Sequence, residues 1–442
     1  MASSSEGVSV LEIECKVVTP MFSRGAAEPK WENGNRVYPF ELRPQSIKGV
    51  LRFWFRAIAP TVIDIYSLEG LENLSKKEKE RWEKEKYKGL KYLEGLIFGS
   101  QERKSSFSLE VKVEGESQAL GKYMNNRFSF TDDRLKDTKY ALYGLYDKSG
   151  IYEYLQEGKN FIIILQTAND SIKGIILSLL KLVSTFSGFG AKTRKGFGEF
   201  EIVDPKLTRN DYNLVISECQ EHIREFVNHH NSSSKVKIKL GRTNFNGIPD
   251  FPCFCDYKIF EITKFSGNSP LEVLREVFKV GRNFKGWYPS LKQKMRFSEG
   301  DCVKDLVEAL EGLLKGRKTE KKIEIPTAVV GLPIQYQNLG RGEIRRLKVI
   351  VSSSLRGLGI DDIDGRKASP LFLSVHEGER GKWKLVVLLM RSRVTNDGEL
   401  ITEVKGGKTP SSGIKTIVKE EKDYKNLLEW IKKLGGKEIQ GG

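Results

Sequence analysis

Along residues 9–204 the hydrophobic period changes in a fixed order, and that order constrains the fold more than any other feature. SVLEIECKVVT (9–19) alternates and is rich in Val and Ile, as a half-buried strand requires. RPQSIKGVLRFWFRAIAP (43–60) has a helical period, with Pro44 suited to the first turn and Pro60 ending it. SFSLEVKVEG (106–115) alternates again, and NFIIILQT (160–167) is a continuous apolar run of strand length. NDSIKGIILSLLKLVSTF (169–186) reads as an amphipathic helix with Asp170 or Ser171 as its cap, and GEFEIVD (198–204) as a closing strand. Strand, helix, strand, strand, helix, strand is the order of a βαββαβ unit.

The second half repeats the style. KVKIKLGRTNF reads as a strand, PLEVLREVFKV and DCVKDLVEALEGLLK as helices, and KDYKNLLEWIKKL as a closing helix. TAVVGLPIQYQ, IRRLKVIVSSS, SPLFLSVHE and WKLVVLLMRSR read as strands. The elements mix without the regular alternation of a doubly wound parallel sheet. The expected class is therefore α+β with antiparallel sheets, as two βαββαβ-like units in tandem. At 442 residues the chain exceeds one ordinary core. HHNSSSK (229–235), small and polar, is the linker candidate, giving domains 1–230 and 231–442. Between the first helix and second strand, LEGLENLSKKEKERWEKEKYKGLKYLEGLIFGS (68–100) forms a helical insertion at about 61–100. Its alternating charges suit a solvated helix or a docking surface.

GFGAKTRKGFG (188–198) raises the question of phosphate binding. A dinucleotide fingerprint runs strand, glycines, helix; here a helix precedes the loop and a strand follows it. A Walker loop needs Gly before its Lys-Thr pair, yet Ala191 precedes Lys192 and Thr193. Neither nucleotide fold fits. What remains is a loop whose Gly188, Gly190, Gly196 and Gly198 permit positive φ and close backbone approach. Lys192, Arg194 and Lys195 then reach phosphates or ribose hydroxyls, with Phe189 and Phe197 pinning the ends to the core. The alternative is a mobile loop with incidental charge.

Charge supports a polyanionic partner. Lys and Arg number 74 against 58 Asp and Glu, a formal charge of +16. RNA or DNA is the first candidate, an anionic membrane surface the competitor, and a charge-rich thermophilic surface the third reading. Five cysteines, mostly isolated, make no disulfide framework, and CFC (253–255) lacks a second ligand pair for zinc. The N-terminus lacks the pattern of a signal peptide, and no apolar run reaches membrane-spanning length, so a reducing cytoplasm is expected and no membrane partner. On the first helix Ile47, Val50, Leu51, Trp54 and Ile58 form an apolar stripe, and Lys48, Arg52 and Arg56 a separate basic one. The basic stripe is either a solvated face or, with Arg24 from TPMFSRG (19–25), part of a phosphate-tracking groove.

TPMFSRG, YPFELRPQSIKGVLRFWFRA and GFGAKTRKGFG, in that order, resemble the hallmarks of the RAMP superfamily of CRISPR-associated proteins. The wording is similar, more narrowly, to the family of first subunits of type III-B (Cmr) effector complexes. GRNFKGWYPS, AVVGLPIQYQ and GRKASPLFLSV carry the resemblance to about residue 390. It implies ferredoxin-like, RRM-like domains and a non-catalytic RNA-binding subunit of an RNA-guided RNA-targeting complex. Such a subunit holds the 3′ portion of the guide RNA and the adjoining target RNA, beside other Cmr RAMP subunits, with no cofactor. By motif it implies RNA contacts at Arg24, Lys48, Arg52, Arg56, Lys192, Arg194 and Lys195, and further on at Arg282, Lys285, Trp287, Arg366 and Lys367. Tyr288 intervenes between Trp287 and Pro289, which departs from the family's close basic-Trp-Pro grouping.

Other segments leave alternatives open. GRNFKGWYPSLKQKMRF (281–297) interleaves aromatics and cations, suited to stacking on bases or to burying its rings. GRGEIRR (340–346) is a hairpin end near RNA or a blunted sheet edge. DDIDG (361–365) lacks the spacing of a calcium loop and reads as an acidic turn. None of His222, His229, His230 and His376 comes with an evident catalytic partner, whereas TDDR offers the paired Asp132 and Asp133 in the loop zone where the resemblance implies a catalytic Asp in related filament subunits, a match of position alone. An endoribonuclease cleaving guide precursor or target RNA is thus the second functional class.

Overall fold

The structure, a computed structural model, describes residues 9–125, 127–147, 150–206, 209–281, 285–298, 300–317, 323–332, 334–337, 346–351, 368–395, 399–404 and 414–442. Strand β1 (Ser9–Val17) turns Ile13, Cys15 and Val17 inward and Val10, Glu12, Glu14 and Lys16 outward, following its sequence alternation. A hairpin, β2 (Lys30–Glu32) and β3 (Asn35–Tyr38), turns at Asn33 and Gly34, both at positive φ as a tight Asn-Gly turn needs. Helix α1 (Pro44–Ile58) starts at the expected proline and buries Ile47, Leu51, Trp54 and Ile58. The insertion is helical: α2 (Lys76–Lys84), opened by a Ser75–Glu78 capping box, and α3 (Lys88–Phe98).

Strand β4 (Ser108–Val113) leads into short elements: β5 (Gln118–Ala119), the hairpin β6 (Gly121–Met124) and β7 (Arg127–Phe130), helix α4 (Lys139–Leu142), β8 (Tyr146–Asp147) and β9 (Gly150–Tyr154). Then come β10 (Asn160–Thr167), α5 (Asp170–Phe186) and β11 (Phe200–Asp204). Asn169 is the α5 cap instead of Asp170 or Ser171, its side chain accepting the Ile172 N–H at 3.2 Å. The sheet runs β11-β1-β10-β4, antiparallel throughout, which is fourth-first-third-second among its strands in chain order.

Helix α6 (Tyr212–Ser233) runs through most of the stretch expected to be a linker. HHNSS is the end of a helix anchored by buried Val215, Cys219, Ile223 and Val227, so a polar composition there marks a solvated helix end. Residues 235–256 do not form the expected sheet strand but a strap along the first half. Glu69 and Lys237 exchange backbone hydrogen bonds at 2.9 and 3.0 Å, and the Thr243 and Phe254 N–H groups donate to Pro60 and Ala57 at 2.7 and 2.9 Å. Asp250 on this strap accepts from Lys86 and the Tyr87 hydroxyl, both at 2.8 Å, which ties down the start of α3.

Beyond the strap lie β12 (Tyr257–Gly267), α7 (Pro270–Phe278), α8 (Trp287–Arg296), α9 (Cys302–Leu314), β13 (Ile323–Glu324), β14 (Ile334–Gln337), β15 (Arg346–Val351), β16 (Leu371–Glu377) and β17 (Trp383–Met390). β18 (Glu399–Val404), β19 (Ile414–Ile417), α10 (Glu420–Lys433) and β20 (Gly436–Gly441) follow. An antiparallel sheet ordered β16-β17-β12-β20 again has the fourth-first-third-second arrangement when β16 and β20 are taken as its outer strands, with β12 and β17 between them, and a further sheet runs β13-β19-β18-β15-β14. The expected α+β class with antiparallel sheets is therefore what forms.

Among the described residues the buried side chains form two hydrophobic cores, and each draws on both halves. In one, Trp54, Phe55 and Phe186 pack with Phe372, Val386, Leu388 and Met390; in the other, Phe22 and Phe197 join Phe260, Leu373, Val387 and Leu389. Successive residues of β17 thus enter opposite cores. Burial on both faces is why WKLVVLLM shows no polar alternation.

A carboxylate joins the halves at the sheet edge. Glu199, fully buried, accepts the Val375 N–H at 2.9 and 3.2 Å and Arg209 at 2.8 Å. Burial pushes its carboxyl up to about 8, against the pull of Arg209 and the backbone donor. Glu199→Ala would strand both donors, and a loss of about 3–5 kcal/mol is expected in denaturant melts. Because the folded carboxyl holds its proton to higher pH than the unfolded one, this group's contribution weakens as pH rises from the ordinary carboxyl range through about 8. Glu199→Gln should flatten that part of the stability profile relative to the parent protein.

Candidate nucleic-acid interface

The glycine loop is built into the fold. Phe189 stacks on Phe200 with centroids 4.6 Å apart, and Phe197 packs 5.9 Å from Phe22, so both ends are pinned as expected. Gly190 has φ +88°, and a Cβ there would sit 2.1 Å from the Phe22 carbonyl oxygen, whose own bond comes from the Ala191 N–H at 2.6 Å. Gly198 lies equally close to the Phe189 carbonyl. The glycines serve backbone-to-backbone approach within the protein.

At the loop's tip the three cations turn toward neutral partners. Lys192 donates to the Tyr143 carbonyl at 2.7 Å, and Lys195 to that of Ala141 at 3.4 Å. Arg194 donates to the Ser369 carbonyl and lies over Phe372 and Phe53, 4.6 and 5.2 Å from their centroids. Burial lowers the pKa of all three, Arg194 to about 10 and Lys195 to about 7, the latter helped by Lys192 and Lys292. None is paired with a carboxylate among the described residues, so the loop concentrates half-buried positive charge that carbonyl and ring dipoles only partly offset.

The basic stripe of α1 faces elsewhere, toward the insertion. Lys48 donates to Ser105 Oγ and the Phe107 carbonyl at 3.0 and 3.3 Å. Its pKa falls through burial first and the neighbouring Arg52 second. Arg52 donates to the Phe98 and Gly99 carbonyls at 3.0 and 2.7 Å, meeting the open carbonyls at the end of α3. Arg56 makes a two-pronged ion pair with buried Glu94 at 2.6 and 2.8 Å. The structure therefore does not bring Lys48, Arg52 and Arg56 into one groove with Lys192, Arg194 and Lys195, because local acceptors claim them.

Arg24 does lie beside the loop. Phe22, two residues before it, pairs with Ala191, and Arg24 is exposed with its guanidinium 3.8 Å above the Tyr38 ring. The same hairpin carries residues that sequence reasoning missed. Trp31 is 75% exposed and pairs across the hairpin with exposed Arg36, whose guanidinium lies 5.3 Å from the Tyr38 ring centroid. Asn35 fixes this hairpin to the next by accepting the Tyr123 N–H at 2.9 Å. The Asn-Gly turn inside WENGNRVY was the available signal.

Neither four-stranded sheet is a platform for stacked bases. The outer face of the first sheet sets Glu12 opposite Ile164, Glu14 opposite Ile162 and Glu110 opposite Ile164, with no aromatic at these positions. In the β12 sheet, β16, β17 and the first half of β12 are buried on both faces, while β20 is a half-exposed edge.

The later candidates separate. Trp287 is 1% exposed at the start of α8, which corrects its assignment to base contact: its ring lies in the second core. Lys285 is exposed and donates to Gln293 at 3.0 Å. Arg282, Arg366, Lys367 and the DDIDG turn lie outside the described residues, as does most of GRGEIRR. Asp132 holds Arg134 at 2.7 Å and Asp133 holds Lys136 at 2.8 Å, and Arg134 keeps the Asp132 carboxyl below the usual carboxylate range despite partial burial. His376 is buried, 2.8 Å from the Thr185 carbonyl. Among the described residues no three His, Cys, Asp or Glu side chains group as metal ligands, and no helix is long and apolar enough to cross a membrane.

Comparison with known proteins meets the resemblance read from the motifs. Residues 14–201 match the model of the RAMP superfamily. CRISPR system Cmr subunit Cmr1-1 of Pyrococcus furiosus is 29% identical over 171 residues, 38% of this chain and 42% of that protein. The matched segment thus spans less than half of that relative. Subunit Cmr1-2 of the same organism is 24% identical over 206 residues, 43% of this chain and 92% of that protein. Among solved structures, the apo crystal structure of Cmr1 from Pyrococcus furiosus aligns over 98% of this chain and 99% of its own, with TM-score 0.49 and 17% identity. A chain of the Type III-B Cmr-beta complex bound to cognate target RNA aligns over 96% and 99%, with TM-score 0.45 and 14% identity.

Since Arg194 lies over two rings of opposite halves, its removal should act through packing as well as charge. Arg194→Ala is expected to lower stability by about 1–3 kcal/mol, while Lys192→Ala stays within about 0.5 kcal/mol; thermal melts of the two variants check the contrast.

Proposed function

We propose that this chain, RAMP-like over residues 14–201, is a non-catalytic RNA-binding subunit of a type III-B CRISPR effector complex. In this reading it holds the 3′ portion of the guide RNA and the adjoining target RNA, works in the cytoplasm, and sits beside other Cmr RAMP subunits. Relatedness to two Cmr1 subunits is the observation that carries the reading. The four-stranded antiparallel sheets around β1 and β12 support two ferredoxin-like units, 1–230 and 231–442, with the strap of the second laid on the first.

Geometry narrows where RNA sits. The outer face of the first sheet mixes glutamates with Lys16 and Lys112 and carries no ring at those positions, and most of the other sheet is covered, which supports contact through the loops. Arg24 and the glycine-loop cations lie on adjoining backbone and hold no carboxylate among the described residues, so phosphates supply the missing counter-charge. Sequence choice is left to base pairing between guide and target.

The purified chain should bind single-stranded RNA with little sequence preference and lose affinity steeply with salt. Arg24→Glu with Lys192→Glu should flatten the log–log salt slope by about 0.7 for each phosphate no longer neutralised. An unchanged slope in filter-binding titrations would remove this loop from the interface. Incubation of labelled RNA with Mg²⁺ is the second arm: defined fragments that disappear with Asp132→Asn would replace this reading by the endoribonuclease.

A further inference from the structure

The helical insertion stands apart from the glycine loop, yet it builds a sizeable cleft that contains two of the motif arginines. Between α1, α2, α3 and residues 99–105 lies a cleft of about 1060 Å³, comparable with small-molecule sites. At its floor Arg52 and Arg56 both hold the carboxylate of Glu94, which is 7% exposed, Arg56 at 2.6 and 2.8 Å and Arg52 at 3.6 Å. The lining as a whole sets six basic side chains against four carboxylates. At the mouth Arg103 and Lys104 are exposed, without a carboxylate partner among the described residues, whereas the neighbouring Arg81 and Lys91 are paired with Glu102 and Glu85.

One wall is aromatic. Trp82 and Tyr92 meet edge to face at 5.6 Å, both half-buried. Helix α2 buries none of its residues, and its lone aromatic, Trp82, lines the cleft. An apolar protein segment would leave the cations unmatched, and α2 has no apolar face for a lipid surface. A planar ring joined to a phosphate fits both walls.

We infer that this cleft seats one unpaired nucleotide of an RNA strand, its base against Trp82 and Tyr92 and its phosphate toward Arg103 and Lys104. The inference rests on the RNA-binding reading and gives the insertion the task of holding a nucleotide away from the glycine loop. A free nucleoside monophosphate presents the same chemistry, so the source has to be separated by experiment.

The full-length chain is irradiated with single-stranded RNA carrying 4-thiouridine, and crosslinked peptides are identified by mass spectrometry. Crosslinks are expected within residues 74–105. Trp82→Ala and the pair Arg103→Glu, Lys104→Glu should each abolish them and weaken binding about tenfold, the size of one lost base–aromatic stack. Trp82→Phe should retain most of both. Trp82 is half-buried and packs on the first core, so Trp82→Phe keeps that packing, and the circular dichroism of each variant, expected to match the parent, reports whether α2 stays folded. Crosslinks confined to residues 22–38 and 188–198, with Trp82→Ala binding unaltered, would overturn the cleft assignment and leave the RNA-binding reading standing. Failure to bind RNA at all would remove both. If uridine monophosphate quenches a Trp82-dependent fluorescence signal and the RNA does not, the strand assignment is overturned in favour of a free nucleotide.

Discussion

An edge strand offers N–H groups that something must accept, and β16 is such a strand. Here the acceptors come from the other half of the chain: the Arg194 carbonyl takes the Leu373 N–H at 3.2 Å, and Glu199 takes that of Val375. This requirement explains much of the glycine loop. To lie along β16 the loop must pass tightly against the backbone at Phe22, which only glycine tolerates at position 190. Its placement in turn lays Arg194 over Phe53 and Phe372. Held this way the basic residues lose much of their water and burial weakens their hold on a proton, Lys195 down to about 7, so the loop seals a sheet edge while Lys192 and Arg194 carry most of its positive potential.

The same docking decides what the sheets are free to do. An RRM-like sheet that reads RNA needs an open face with rings on it. The first sheet's open face sets Glu12, Glu14, Glu110, Lys16 and Lys112 around Ile162 and Ile164, with no ring among them, and the second sheet has the α1 and α5 side of the first half against what would be its open face. What the sheets leave exposed is the hairpins, the loop and the insertion, the elements by which otherwise similar α+β units differ.

Local pattern carried much of this organisation. α1, α5, β4, β10 and β11 lie where periodicity and apolar run length set them, with Pro44 fixing the start of α1 and Asn169 that of α5. β12 escaped notice because Ile259 and Phe260 enter opposite cores, which erases alternation. β20, GKEIQG, is too polar and glycine-bounded to signal a strand, and pairs only because β12 offers it a register. The end of α6 looked like a linker since serine and asparagine favour turns locally, yet the buried stripe upstream carries the helix on. Site reasoning failed where partners are distant in sequence. Nothing near Arg56 announces Glu94, and nothing in GRNFKGWYPS says that Trp287 turns inward.

The shared cores bear on how the chain is made. Phe53, Trp54 and Phe186 emerge from the ribosome long before Phe372 and Met390, which cover them. For that interval a nascent first half shows water an oily patch that its own residues cannot hide. A cell producing this chain must shield the patch, by holdase or by prompt assembly, until the C-terminal strands arrive.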